Sequence, residues 1–151
     1  MFERLNKILK IAESFLPAFL KMHKDRLGDR KGIYLLIVLR TKSVHQKRGE
    51  VIGYLPPEKQ LEKKGYAAEK LKRIILNKEY SSFQSENEKK GSFGGAIMPN
   101  NELHMSASGF PPDLDQEFNV LVSFFAGEMK MKNYIRIEAV SRKAIQKLRG
   151  E

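Results

Sequence analysis

The segment Ile33–Leu39, IYLLIVL, is apolar without a break and rich in β-branched residues. A strand with one wet face alternates apolar and polar residues. A strand without alternation has to be covered on both faces. This run therefore predicts a central strand over 33–40 and a layered fold around it. VIGYLP at 51–56 reads as the returning strand of a hairpin, ended by Pro56-Pro57. TKSVHQKRGE reads as the connection, with Gly49 near its end. In a small sheet with helices on one face, the other face needs a partner. The run thus predicts association of the chain with copies of itself.

The flanking segments read as helices. Over 2–27, Leu5, Ile8, Leu9, Ala12, Phe15, Leu16, Phe19 and Leu20 recur at three- and four-residue steps. Pro17 should kink or divide that helix, and Gly28 is a candidate C-cap. A second helix is expected over 58–77, weakened by Gly65. The polar stretch 78–93 reads as a long surface loop. GGAIMP at 94–99 and ELHMSAS at 102–108 form a second hairpin across Asn100-Asn101. Gly109, Pro111 and Pro112 break it, and Asp113 with Gln116 reads as a capping box for a third helix. Beyond it, YIRIEAV shows local strand alternation, and SRKAIQKLRG reads as a helix capped by Ser141. The order is α-β-β-α-β-β-α, an α+β fold with helices packed on an antiparallel sheet. We divide it into one domain over 1–128 and a basic C-terminal extension over 129–151.

Composition narrows the function classes. The 151 residues contain no cysteine, which excludes disulfides, thiolate metal sites and cysteine catalysis. The formal charge is +10, which suits an anionic partner: nucleic acid, membrane or acidic protein. Because the basic residues are dispersed, with no run of five, nucleic acid ranks low among these. No stretch is long and apolar enough for a transmembrane helix, and Glu3, Lys7, Lys10 and Glu13 interrupt the amino-terminal segment. A soluble cytoplasmic protein is expected.

The candidate chemistry collects around the second hairpin. Strand alternation puts His104, Ser106 and Ser108 on one face, opposite Leu103, Met105 and Ala107. His104 is read either as a haem or metal ligand on an open face or as a solvent-facing or interface histidine. Gly94 and Gly95 bring backbone amides within reach of an anion, or simply make a turn. Phe93 and Phe110, with Phe83, either stack on a flat ligand or anchor the loop. Asp113, Asp115 and Glu117 complement the dipole of the third helix without any catalytic role. His45 is expected to be solvated, and His23 to serve as a cation at a helix C-terminus. No two histidines lie within five residues, and MSASG is not a nucleophile elbow, so no catalytic constellation is found.

Gly94, Gly95, Ala96 and Ile97, followed by Ser108-Gly109 and then Asp115, resemble the GlcG/HbpS family, which includes the C-terminal domain of PduO-type proteins. The resemblance is carried by motif over 92–125 and by element order over 2–77. It implies a profilin- or PAS-like domain that commonly oligomerises, with haem or a corrinoid as the ligand of some members. The leading expectation is a non-enzymatic small-molecule-binding or sensory module acting as an oligomer. Its pocket would lie between the 78–95 loop, the second hairpin and the 108–113 corner. The alternative is a structural or regulatory protein-interaction module with a basic surface, using its tail and first helix as contacts.

Overall fold

The computed structural model describes residues 3–151, and the expected helix start at residue 2 lies outside them. Its sheet has four strands: β1 (Lys31–Arg40), β2 (His45–Tyr54), β3 (Ala96–Asn100) and β4 (Leu103–Ser108). They are ordered β2-β1-β4-β3, with every neighbouring pair antiparallel. The helices are α1 (Glu3–Met22), α2 (Lys24–Leu27), α3 (Pro57–Asn77), α4 (Pro112–Phe125) and α5 (Met131–Leu148). This is the α+β fold expected from the element order.

The continuous apolar run explains the layering. Ile33, Leu35, Ile37 and Leu39 share one core with residues of α1 and α4, such as Ile8, Phe19, Leu114 and Phe118. Leu36 and Val38 point the other way and pack with Ala67, Leu71 and Ile74 of α3. Burying an aliphatic side chain of this size stabilises by about 1.5–3 kcal/mol, so α3 is held mainly by its few apolar contacts to the sheet. Both faces of β1 are thus covered by helices of the same chain. The requirement that pointed to a second copy is met internally.

Several local expectations are corrected. The first hairpin turns at 41–44, where Val44 N donates to Thr41 Oγ1 (3.0 Å) and Thr41 N donates to Val44 O (2.8 Å). HQKRGE is therefore strand, paired with β1 from Arg40↔His45 onward. Its charges suit an edge strand, which has only one neighbour. Pro17 does not divide α1. It lies on the exposed side, where the carbonyl it leaves unpaired can bond water, and the break comes at His23.

The N-cap of α4 is Pro111, and no side chain caps it. Asp113 instead forms an ion pair with Arg26 and lies 3.6 Å from Arg149 Nε. Gln116 sits in a buried chain: Ser81 Oγ donates to its Oε1 (2.5 Å), and its Nε2 donates to Ser141 Oγ (3.0 Å). Ser141 is therefore not a cap but a buried residue within α5, which also donates to Ile137 O.

The strand-like alternation in YIRIEAV is misleading for the same reason. The buried residues of α5 are Asn133, Ile137 and Ser141, at four-residue steps, and two of the three are polar. Asn133 Nδ2 donates to Met98 O (2.9 Å), and Ile137 is fully buried, so the basic extension packs on the domain.

Candidate functional site

Arg73 reaches three points of the loop after α3, alongside bonds accepted by Ser81, Gln84 and Glu79 within it. Arg73 donates from Nε to Ser85 Oγ (2.6 Å) and from a terminal nitrogen to Ser82 O (2.8 Å), and also bonds Phe93 O. Two short 3₁₀ turns, Ser82–Ser85 and Glu88–Lys90, replace the open loop expected over 78–93. Gly94 is buried beneath the Phe83 ring, where a Cβ would have no room. Gly95 has φ +125°, and a Cβ there would stand 3.0 Å from Asp115 Cβ and 2.9 Å from Lys70 Nζ. The glycine pair is therefore needed for close approach of the chain to a buried ion pair.

That ion pair is absent from the sequence reading. Lys70 and Asp115 are 3% and 1% exposed, with Nζ and Oδ2 3.2 Å apart. Lys70 Nζ also donates to Ala107 O (2.8 Å), and Phe110 N donates to Asp115 Oδ1 (3.0 Å). Desolvation raises the Asp115 carboxyl to about 6, against the pull of Lys70 and the Phe110 amide. Asn119 completes the joint by donating from Nδ2 to Gly95 O (2.9 Å). Lys70 carried no signal, and Asp115, though part of the motif over 94–115, carried none for burial against a lysine. Lys70 sits in a lysine-rich helix, and Asp115 has the position of an ordinary dipole-compensating acid.

His104, Ser106 and Ser108 do share a strand face, but it is not open. All three are buried on the side of the sheet that α3 covers. His104 Nδ1 and Ser106 Oγ have no hydrogen-bond partner among the described residues. Burial, with a smaller contribution from Arg40, lowers the His104 pKa to about 4. This imidazole is neutral at physiological pH.

The unfolded chain takes up the His104 proton first, near pH 6.5, while the folded chain resists until about 4. The stability attached to neutral His104 is therefore lost as pH falls through that window. His104→Leu should be about 1 kcal/mol more stable than wild type near neutrality, by removing an orphaned polar atom. Its advantage should grow by roughly 2–3 kcal/mol at pH 4.5. Urea unfolding at the two pH values checks this, and a constant difference would contradict it.

The seven residues singled out by sequence do not converge. Phe110 points into the other core, stacked on Phe19 (5.7 Å between centroids, 24°). Phe93 packs edge-on against Tyr66 (5.9 Å). Gly94 and Gly95 serve backbone packing, and His104, Ser106 and Ser108 lie beneath α3. The corner between loop, hairpin and helix is filled by Phe83, Lys70 and Asp115 rather than hollow. A haem or corrinoid does not fit these residues, because His104 is buried between sheet and helix with its Nδ1 enclosed, and Phe83, Lys70 and Asp115 leave no room for a macrocycle beside it. Of the remaining histidines, His45 receives only a long bond from Arg40 (3.4 Å) and is exposed. His23 lies 3.3 Å from Glu117, with its ring against Phe19.

An open cleft lies at the other end of the same corner. It has a volume of about 660 Å³, and Gly109 and Gly32 form part of its wall, where β4 leaves β1. Tyr54, 58% exposed, stands at its side with Leu55 and Pro56. Arg30, Lys31, Lys59 and Lys63 line it, against one carboxylate, Asp29. Lys63 is partly neutralised by Glu62 at 3.2 Å, whereas Arg30, Lys31 and Lys59 have no ion-pair partner among the described residues. A second cleft of about 680 Å³ surrounds Arg4, but that guanidinium is held between Glu102 (2.9 Å) and Glu128 (2.7 Å). Only the first cleft joins uncompensated positive charge to an aromatic wall. Compared with protein-family models, curated proteins and solved structures, the chain matches none.

Proposed function

We propose that the chain is a non-enzymatic module that binds a small anionic molecule in the cleft between the start of β1, the Tyr54–Lys63 segment and Gly109. The observation that supports this reading is the excess of cations around an exposed tyrosine in a recess of ligand size. Arg30, Lys31 and Lys59 would meet the anionic part of the ligand, with charge-assisted hydrogen bonds. The Tyr54 ring and Pro56 offer a flat apolar surface for a ring carried on the same molecule. Gly32 contributes backbone at the start of β1 to the lining, so the site is preformed by the sheet and needs no loop closure. The sensory role anticipated from the family resemblance rests on this same cleft, not on the filled corner at Gly94–Gly95.

Titration with pyrophosphate and with adenosine triphosphate tests it. Both should bind, the nucleotide more tightly because of the ring. Lys59→Glu with Lys63→Glu should weaken each by at least about tenfold, equivalent to about 1.4 kcal/mol. Calorimetry showing no binding of either probe at low salt, or equal binding by the variant, would remove this reading.

A further inference from the structure

The end of α4 and the start of α5 carry the molecule's most exposed cluster of large apolar side chains. Phe125, Met131 and Ile135 are 58%, 63% and 61% exposed, and Phe124 is 37% exposed. They belong to two adjoining segments, the last turn of α4 and the first turns of α5. Phe124 packs edge-on against Tyr134 (5.1 Å), and Met131 and Ile135 lie one helical turn apart beside it. Phe125 is held at its base by Phe15 (5.0 Å). Side chains of this kind gain nothing from water, and an ordinary surface scatters them singly.

We propose that this junction is a peripheral membrane-contact surface, which docks the folded chain on an anionic lipid bilayer. Charge complementarity supports that occupant. Lys130, Lys132 and Arg136 alternate in sequence with Met131 and Ile135 at the start of α5 and have no ion-pair partner among the described residues, Lys130 and Lys132 also lining the cleft around Arg4. The nearest acid in sequence, Glu128, is already bonded to Arg4, and Glu138 is followed one turn later by Arg142. The whole chain, at +10, is attracted to an anionic surface from a distance.

Shape separates the lipid from an acidic peptide. The clefts around Arg4 and Tyr54 are not lined by Phe124, Phe125, Met131 or Ile135. A peptide helix needs a groove, whereas exposed aromatic and aliphatic side chains with lysine and arginine on the same helix suit the interface of a bilayer. No helix among the described residues is long and apolar enough to cross a membrane, so the contact is superficial.

The test uses the full chain with vesicles of phosphatidylcholine, alone or with about a third phosphatidylserine. The chain has no tryptophan, so Phe125→Trp places a single reporter at the surface. Co-sedimentation should be at least tenfold stronger on the anionic vesicles. The tryptophan emission should shift to the blue on them and be quenched by brominated acyl chains. Phe125→Ser with Ile135→Ser, with unchanged circular dichroism, should lose at least tenfold in partition. Three results would overturn the proposal: no partition at low salt, full partition by the double serine variant, or a blue shift with an acidic amphipathic peptide but not with vesicles.

Discussion

Lys70→Met should destabilise the fold by about 3–5 kcal/mol at neutral pH, because it leaves the Asp115 carboxylate buried without its cation. The remaining partner of that carboxylate is the Phe110 amide, which cannot offset the burial of a full charge. The loss should shrink on acidification. Burial already raises the Asp115 carboxyl to about 6, and without Lys70 it rises further. The unfolded chains titrate alike, so the deficit relative to wild type is complete above the still higher folded-state value of the variant and fades as pH falls to about 6, below which both folded proteins carry the Asp115 proton. The double variant Lys70→Met with Asp115→Leu should recover most of the stability and cost about 1–2 kcal/mol, chiefly for the orphaned Phe110 N–H. Denaturant midpoints of the four proteins form the cycle. Additive losses would mean that the two groups do not act as a pair.

Phe19→Ala should cost a further large amount, about 3–5 kcal/mol. Its ring is fully buried and touches Phe15, Phe110 and Phe118, at centroid distances of 5.7, 5.7 and 5.3 Å. It therefore joins α1, the Gly109–Phe110 corner and α4, and no neighbouring chain segment can collapse into the space without moving one of the three. Leu61→Ala is the matched control, since Leu61 is 81% exposed and should change stability by less than about 0.5 kcal/mol. Thermal unfolding distinguishes them. Equal midpoints for the two variants would refute the aromatic joint.

The layers of the fold were legible because apolar periodicity reports burial directly. Ile33–Leu39 announced a strand covered on both faces, and the three-and-four spacing of Leu5 to Leu20 announced α1. What the pattern did not say is which chain covers the second face, because α3 presents a small apolar set, chiefly Ala67, Leu71 and Ile74, beneath a lysine-rich exterior. Reading fails where buried positions are polar. Asn133 and Ser141 disguise the inner face of α5, and Lys70, Asp115 and Gln116 look like surface or capping residues until their partners are seen. Those partners lie 25 to 45 residues away in sequence, so no local spacing reveals them. The proposed cleft is hidden for the same reason. Its cations come from two separated stretches, around Arg30 and around Lys59, that meet only when β1 and β2 pair.

A period of two shows which residues share a strand face but not whether that face is open. His104, Ser106 and Ser108 are placed together as the period of two requires, yet the face they occupy is sealed by α3. Their polarity is tolerated rather than used: Ser106 Oγ and His104 Nδ1 have no partner among the described residues. The ligand reading accordingly moves from the interior of the corner to its outer end, where Gly109 meets Gly32.

The most direct test of that reassignment follows backbone amide chemical shifts during titration with pyrophosphate. The account predicts perturbations confined to Arg30–Gly32, Tyr54–Lys63 and Gly109, with Gly94, Gly95 and His104 unchanged. Perturbations centred on Gly94–Gly95 and His104–Ser108, or none at millimolar pyrophosphate and low salt, would contradict it.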